Sequence, residues 1–174
     1  MTADRPSERT ARIIRVNHAG EFGAQRIYAG QLAVLGRSAV APVLREMKAQ
    51  EERHLETFER MIVERRVRPT VLHPVWKVAG FALGAGTALL GRRAAMACTV
   101  AVEEVIDSHY AAQSAELDGH EEELGLAIEQ FRAEEREHRD QARDLGGERA
   151  VGYPVLRRAI RAGSRAAIWL SERF

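Results

Sequence analysis

Apolar positions recur along this chain at the three- and four-residue spacing of helices, and two of the resulting stripes are interrupted in the same way. Leu44, Met47, Phe58 and Met61 lie on one stripe, with Glu51 and His54 set into its middle. Leu124, Ile128, Phe131, Ala142 and Leu145 lie on the other, with Glu135 and His138 in the middle. Each interruption is a Glu-x-x-His, which puts carboxylate and imidazole one turn apart on one helix face. The same spacing sorts the neighbouring glutamates. Glu52 aligns with Arg45, Lys48, Glu56 and Glu59, and Glu134 aligns with Gln130, Glu137 and Gln141, all solvated faces. Glu51 and Glu135 point inward. A buried carboxylate without compensation costs several kcal/mol or more, so these groups call for a counter-charge, and a metal ion is the natural one.

The rest of the pattern predicts an all-α chain. Residues 1–9 are polar and read as a flexible N-terminus. A first helix is expected from Asn17 to Leu35, stopped by Gly36, with Glu21, Gln25, Tyr28, Leu32 and Leu35 on its stripe. Ser38 and Pro42 open the second helix, which ends before Pro69. An apolar, glycine-bearing helix is expected over 71–91, then a helix over Ala94–Leu117 stopped by Gly119. On that helix Met96, Glu103, Tyr110 and Leu117 stand whole heptads apart, which places Glu103 on the core stripe; the placement of its neighbour Glu104 stays open. The helix carrying Glu135 and His138 closes at Gly146-Gly147, and a last helix begins near Pro154.

Four of these helices form two pairs of one design, an inward Glu followed by a Glu-x-x-His. Glu21 and Glu51 are thirty positions apart, Glu103 and Glu135 thirty-two. That near-equality reads as an internal duplication. The expected architecture is a pseudo-two-fold four-helix bundle with two additional hydrophobic or amphipathic helices, all 174 residues forming one domain.

Composition narrows the chemistry. Charged residues make up 29 % and aromatics 6 %, as in helical proteins, and the net charge of +1 argues against a nucleic-acid binder. The single cysteine, Cys98, excludes an internal disulfide framework and any thiolate metal site; it reads as an inert core thiol. The N-terminus carries no signal-peptide apolar core, so the chain is read as cytosolic-side, or as organellar after processing. Four carboxylates and two imidazoles from four bundle helices are the donor set of carboxylate-bridged di-iron or di-manganese sites. Four carboxylates also balance two divalent ions. Oxygen and imidazole donors favour Fe or Mn over structural zinc. Oxygenase, oxidase, peroxide chemistry and iron storage all remain open on spacing alone.

Val78–Gly91 carries no charge for fourteen residues, between Trp76-Lys77 and Arg92-Arg93. A spanning helix needs about 20 apolar residues. Its flanks suit a helix lying in a membrane interface, and the last helix agrees, with Arg157, Arg158, Arg161 and Arg165 for headgroups and Ile160, Ile168, Trp169 and Leu170 as apolar bulk. Such contact suggests an apolar substrate reached from the bilayer.

Several segments carry a family likeness: Val16-Asn17-His18-Ala19-Gly20-Glu21, Arg26–Gln31, the run Gly80–Gly91, Cys98–Glu104 and the ending Ala166–Arg173. Together they resemble the demethoxyubiquinone hydroxylases of ubiquinone biosynthesis over nearly the whole chain after about Arg12. The resemblance implies a ferritin-like di-iron monooxygenase, with two Fe ions that are Fe2+ in the reduced state, O2 as co-substrate and an external reductant. It implies hydroxylation of the ring of a demethoxy polyprenyl benzoquinone or quinol. It also implies peripheral attachment to a membrane: the cytoplasmic side of the inner membrane in a bacterium, or the matrix side of the mitochondrial inner membrane in an organelle. A homo-oligomer and ubiquinone-pathway partner proteins are expected as well. The family's metal ligands carry over onto Glu21, Glu51, His54, Glu103, Glu135 and His138, the resemblance choosing Glu103 over Glu104. His109 and Tyr110 match a family pair beside the site. Tyr110 shares the face of Glu103 and suits electron or proton relay, whereas His109 points to a neighbouring face and is read either as a residue beside the site or as a packing residue. Asn17 and Phe22 depart from the Asp and Tyr frequent in the family. His18 is read as a hydrogen-bonding residue near a helix start, and His73 and His120 as solvated or capping residues. The rival readings are a quinol oxidase on the same scaffold, ferritin-like iron storage, and a metal-free scaffold or lipid carrier.

Overall fold

The computed structural model describes residues 6–117 and 119–174. Most of the segment expected to be a flexible N-terminus, residues 1–5, lies outside the described residues. Among those described, the chain is all-α: α1 (Glu8–Leu35), α2 (Ala41–Glu64), α3 (His73–Leu89), α4 (Arg92–Leu117), α5 (Glu122–Asp144), a 3-10 turn (Gly147–Arg149) and α6 (Tyr153–Arg173). Its contacts divide it into two compact units. One comprises the residues up to Leu89 together with Ala166–Phe174, and the other Leu90–Arg165.

In the first unit α1 begins nine residues earlier than its stripe predicts, so Glu8 and Arg9 are helical. Ser7 supplies the cap: its Oγ accepts from the Thr10 backbone N–H at 3.1 Å, satisfying a donor at the helix start. The short connection after Leu35 turns the chain back into α2, whose buried residues Leu44, Met47, Glu51, His54, Phe58 and Met61 are the predicted stripe. Glu21 and Tyr28 of the α1 stripe are buried, whereas Gln25 is half-buried. Thr10, Ile13, Ile14, Asn17 and Gln31 of α1 are buried too.

α1 is covered on a second side because α3 packs against it backbone to backbone. A methyl group at Gly80 would sit 2.9 Å from the Gly23 carbonyl oxygen, and one at Gly84 only 1.9 Å from that of Ile27. From the α1 side, a methyl group at Gly30 would lie 2.2 Å from the Phe81 carbonyl oxygen. Contacts that rise together along both helices mean that α3 runs parallel to α1. Arg26 lies over the Phe81 ring along the same seam, 5.5 Å from its centroid. The start of α3 is tied to the chain end: Val71 N–H donates to the Phe174 carbonyl at 2.9 Å, and Trp76 Nε1–H donates to Ser171 Oγ at 3.0 Å.

In the second unit α4 is buried continuously from Ala94 to Glu103. Such a helix must be small and apolar all round, as Ala-Ala-Met-Ala-Cys-Thr-Val-Ala-Val is. Cys98 is fully buried there, as expected. α5 buries its predicted stripe from Leu124 to Ala142 and ends at Asp144, two residues before Gly146, whose φ of +92° suits glycine. The 3-10 turn that follows was not expected. It seats Gly147 against α4, where a methyl group would lie 2.9 Å from the Met96 carbonyl oxygen.

The seam between α1 and α3 makes a paired test on one helix. Gly84→Ala should drive the helices apart and destabilise the protein by about 2–4 kcal/mol. Gly86→Ala, which meets open space, should be neutral or stabilising by up to about 1 kcal/mol. Urea denaturation of the two variants checks this; equal effects would contradict the packing.

Candidate metal centre

The first unit assembles one set of metal-donor side chains. Glu21 of α1 meets Glu51 and His54 of α2, and each offers a donor atom within 4.8 Å of the others. His54 Nδ1 lies 3.4 Å from Glu21 Oε2 and 3.9 Å from Glu51 Oε2. All three are at most 3 % exposed, in a layer whose neighbours along α2 are Met47 and Phe58.

The second unit builds the same set again. Glu103 of α4 and Glu135 and His138 of α5 have donor atoms within 4.8 Å of one another, all at most 2 % exposed. His138 Nδ1 lies 3.2 Å from Glu135 Oε2. The same ring nitrogen therefore faces carboxylate in both units. Two carboxylates and one imidazole suit a divalent Fe or Mn ion in each unit, and dry surroundings make the negative charge costly without one.

Glu104, the residue the stripe left undecided, belongs elsewhere. Its carboxylate accepts from Arg157 Nε at 2.8 Å, Arg161 Nη1 at 2.9 Å and Arg143 Nη2 at 3.2 Å. Tyr110 is buried one heptad beyond Glu103. His109 is half-buried, and its Nε2 accepts from Gln113 Nε2 at 2.8 Å. Gln113 was missed in the stripes, although a signal exists: Ile27-Tyr28-Ala29-Gly30-Gln31 parallels His109-Tyr110-Ala111-Ala112-Gln113. Tyr28 and Gln31 thus stand to Glu21 as Tyr110 and Gln113 stand to Glu103, and all four are buried.

Two repeats that each end in the same buried donor set, with the same tyrosine and glutamine beyond it, invite comparison with known proteins. The family model described as ubiquinone biosynthesis protein COQ7 matches residues 8–171. The chain belongs to the COQ7 family. It is similar to the NADPH-dependent 3-demethoxyubiquinone 3-hydroxylase, mitochondrial, of Mus musculus, 59 % identical over 94 % of this chain and 77 % of the relative. It is similar to the 3-demethoxyubiquinol 3-hydroxylase of Rhodospirillum rubrum, 57 % identical over 97 % and 80 %. The NADPH-dependent 3-demethoxyubiquinone 3-hydroxylase, mitochondrial, of Homo sapiens is 56 % identical over 99 % and 82 %.

In this COQ7-family chain His18 and His73 depart from expectation, whereas His120 is exposed. His18 is ten residues inside α1, and its Nδ1 has no hydrogen-bond partner among the described residues. His73, the first residue of α3, is not solvated: its ring stacks at 4.8 Å on both His18 and Phe22. Phe22, where a tyrosine was the expected family residue, is thus a stacking partner. Tertiary packing of α3 on α1 makes this column of rings, which no local pattern announces. Burial lowers the His18 pKa to about 4, with the neighbouring His73 adding to the shift; Glu59 Oε1 is 3.9 Å away.

The folded chain therefore protonates His18 only near pH 4, whereas the unfolded chain does so near 6.5. Between those values the unfolded state binds more protons, so stability should fall as pH drops from about 6.5 towards 4, by roughly 2–3 kcal/mol. His18→Phe keeps a ring in the column and should flatten that fall. Melting temperatures from pH 7.5 to 4.5 measure it, and an unchanged slope in the variant would assign the acid sensitivity to other groups.

Proposed function

We propose that this chain is a di-iron 3-demethoxyubiquinol hydroxylase of ubiquinone biosynthesis, its two irons held by Glu21, Glu51, His54, Glu103, Glu135 and His138. The observation that carries the reading is the pair of buried donor sets, each of two glutamates and one histidine, built at matching places in both repeats of a COQ7-family chain. Each set alone leaves two carboxylates around one imidazole. Joined as one dinuclear centre, four carboxylates balance two divalent ions.

When bound, the irons supply the electrons and open coordination positions that O2 activation needs. The overall reaction replaces a ring C–H by C–OH. One oxygen atom enters the quinol and the other leaves as water, with two electrons from an external reductant. The mammalian relatives are named NADPH-dependent, which supports a reduced nicotinamide as that reductant. The chain's own part is to hold donors on rigid helices and to keep bulk water out with Met47, Phe58, Ile128 and Phe131. Tyr110 and His109 are assigned to electron and proton movement beside the centre. Gln113 Nε2 lies 2.8 Å from His109 Nε2 and orients that ring.

The substrate's isoprenoid tail calls for a route from the bilayer, and α3 is assigned to it. No helix among the described residues is long and apolar enough to cross a membrane. The α3 face turned away from α1 is nonetheless apolar and open, with Val78 68 % and Leu89 75 % exposed. Lys77, Arg92 and Arg93 are exposed around it, and Trp169 and Phe174 are exposed at the chain end. This combination fits a helix lying in an interface. Of the α6 arginines, Arg158 and Arg165 remain exposed for headgroups, whereas Arg157 and Arg161 are engaged by Glu104.

Purified protein given demethoxyubiquinol, a reductant and 18O2 should return product carrying one 18O. Glu135→Ala and His138→Ala should lower turnover at least about 100-fold, whereas Glu134→Ala should keep it within about threefold. Oxygen consumption without label in the ring would instead mean an oxidase. Val78→Asp with Leu89→Asp should abolish co-sedimentation with anionic liposomes; continued co-sedimentation would remove α3 from the membrane route.

A further inference from the structure

Glu104 has a companion one turn along α4. Asp107 Oδ1 accepts from Arg132 Nε at 2.8 Å and Arg136 Nε at 2.9 Å, and its Oδ2 lies 3.6 Å from Arg139 Nη1. Burial opposes charge on Asp107, but the hydrogen bonds from Arg132 and Arg136 outweigh it and hold the carboxylate below its usual range. With Arg143 on Glu104, two acids of α4 grip four arginines of α5. The ladder spans Arg132 to Arg143, about 16 Å of helix.

Its placement relative to the metal donors is what gives it meaning. Arg136 directly follows Glu135, Arg139 directly follows His138, and Glu104 directly follows Glu103. The ladder thus runs along the flank of the donor stripe on both helices. Apolar contacts between Ala, Ile and Leu tolerate small slides and rotations. A fork of guanidinium nitrogens on one carboxylate does not, because its bonds are directional. Half-exposed ion pairs contribute little to stability, so holding register is the role left to them.

The first repeat is built without the residues for such a device. The positions matching Glu104 and Asp107 are Phe22 and Gln25, and those matching Arg132, Arg136, Arg139 and Arg143 are Lys48, Glu52, Leu55 and Glu59. There, Lys48 pairs with Glu52 along α2 itself, and α1 is braced by the glycine seam to α3. We infer that Asp107, with Glu104, is a positioning residue that sets the α4–α5 register and thereby how tightly Glu103, Glu135 and His138 hold metal. The inference rests on the di-iron reading and adds a support for the metal donors that lies outside the donor stripe.

Anaerobic titration of metal-free protein with 57Fe2+ in competition with a chelator, read by Mössbauer spectroscopy, tests it. Wild-type protein should bind two ions. Asp107→Asn, checked for intact fold by circular dichroism, should weaken metal binding about 10–100-fold. Arg132→Gln with Arg136→Gln should reproduce that loss from the α5 side, and adding Asp107→Asn to it should cost nothing more. Asp107→Glu, which restores the charge, should recover part of the affinity. Two ions bound with wild-type affinity by Asp107→Asn would overturn the inference while leaving the di-iron reading intact. Wild-type protein that binds no pair of ions would sink that reading and the inference with it.

Discussion

A carboxylate inside an apolar helix interface is tolerable only when something answers its charge. Four helices of this chain bring one inward, and two of them add an imidazole a turn later. Hydrophobic packing alone would select leucine or alanine at those places, as it does at Leu44 and Ala142. The fold therefore concentrates buried negative charge at Glu21, Glu51, Glu103 and Glu135, and paired divalent ions are the proposed counterweight.

The two repeats hold their donors by different physics. In the first, α1 is clasped between α2 and α3, and glycines let the α1 and α3 backbones approach so closely that a single methyl group would collide with a carbonyl oxygen. That contact is steric and short-ranged, so it resists sliding wherever the glycines sit. In the second, α4 and α5 are registered by carboxylates and guanidiniums instead. The donor set recurs in both repeats, whereas the supports around it differ. A steric brace is indifferent to salt and pH; an ionic one is sensitive to both.

Those different supports also account for the dual character of α3. Its glycine face fits against α1, and its opposite face, from Val75 through Leu89, is left apolar and open. A helix that served only to brace α1 would be expected to carry polar residues outward. The same element can thus hold the first donor set and meet the bilayer proposed to deliver the substrate.

The helical class, the boundaries of most helices, the inward stripes and the duplicated donors were legible in the sequence because each follows from spacing along one helix. Glu51, His54, Glu135 and His138 are buried where a 3.6-residue period puts them. Glu103 against Glu104 was not decidable that way: α4 is buried on every side from Ala94 to Glu103, so its own stripe loses contrast. The family resemblance chose Glu103, and in the structure Glu104 meets the arginines of α5 and α6 instead. The early start of α1 escaped because its first turns are arginine-rich and look solvated, although Thr10, Ile13 and Ile14 are buried. The ring column of His18, His73 and Phe22, the α1–α3 glycine seam and the ladder on Asp107 join residues far apart in the chain. Local periodicity records which face of a helix turns inward, and only the packed structure decides what that face meets.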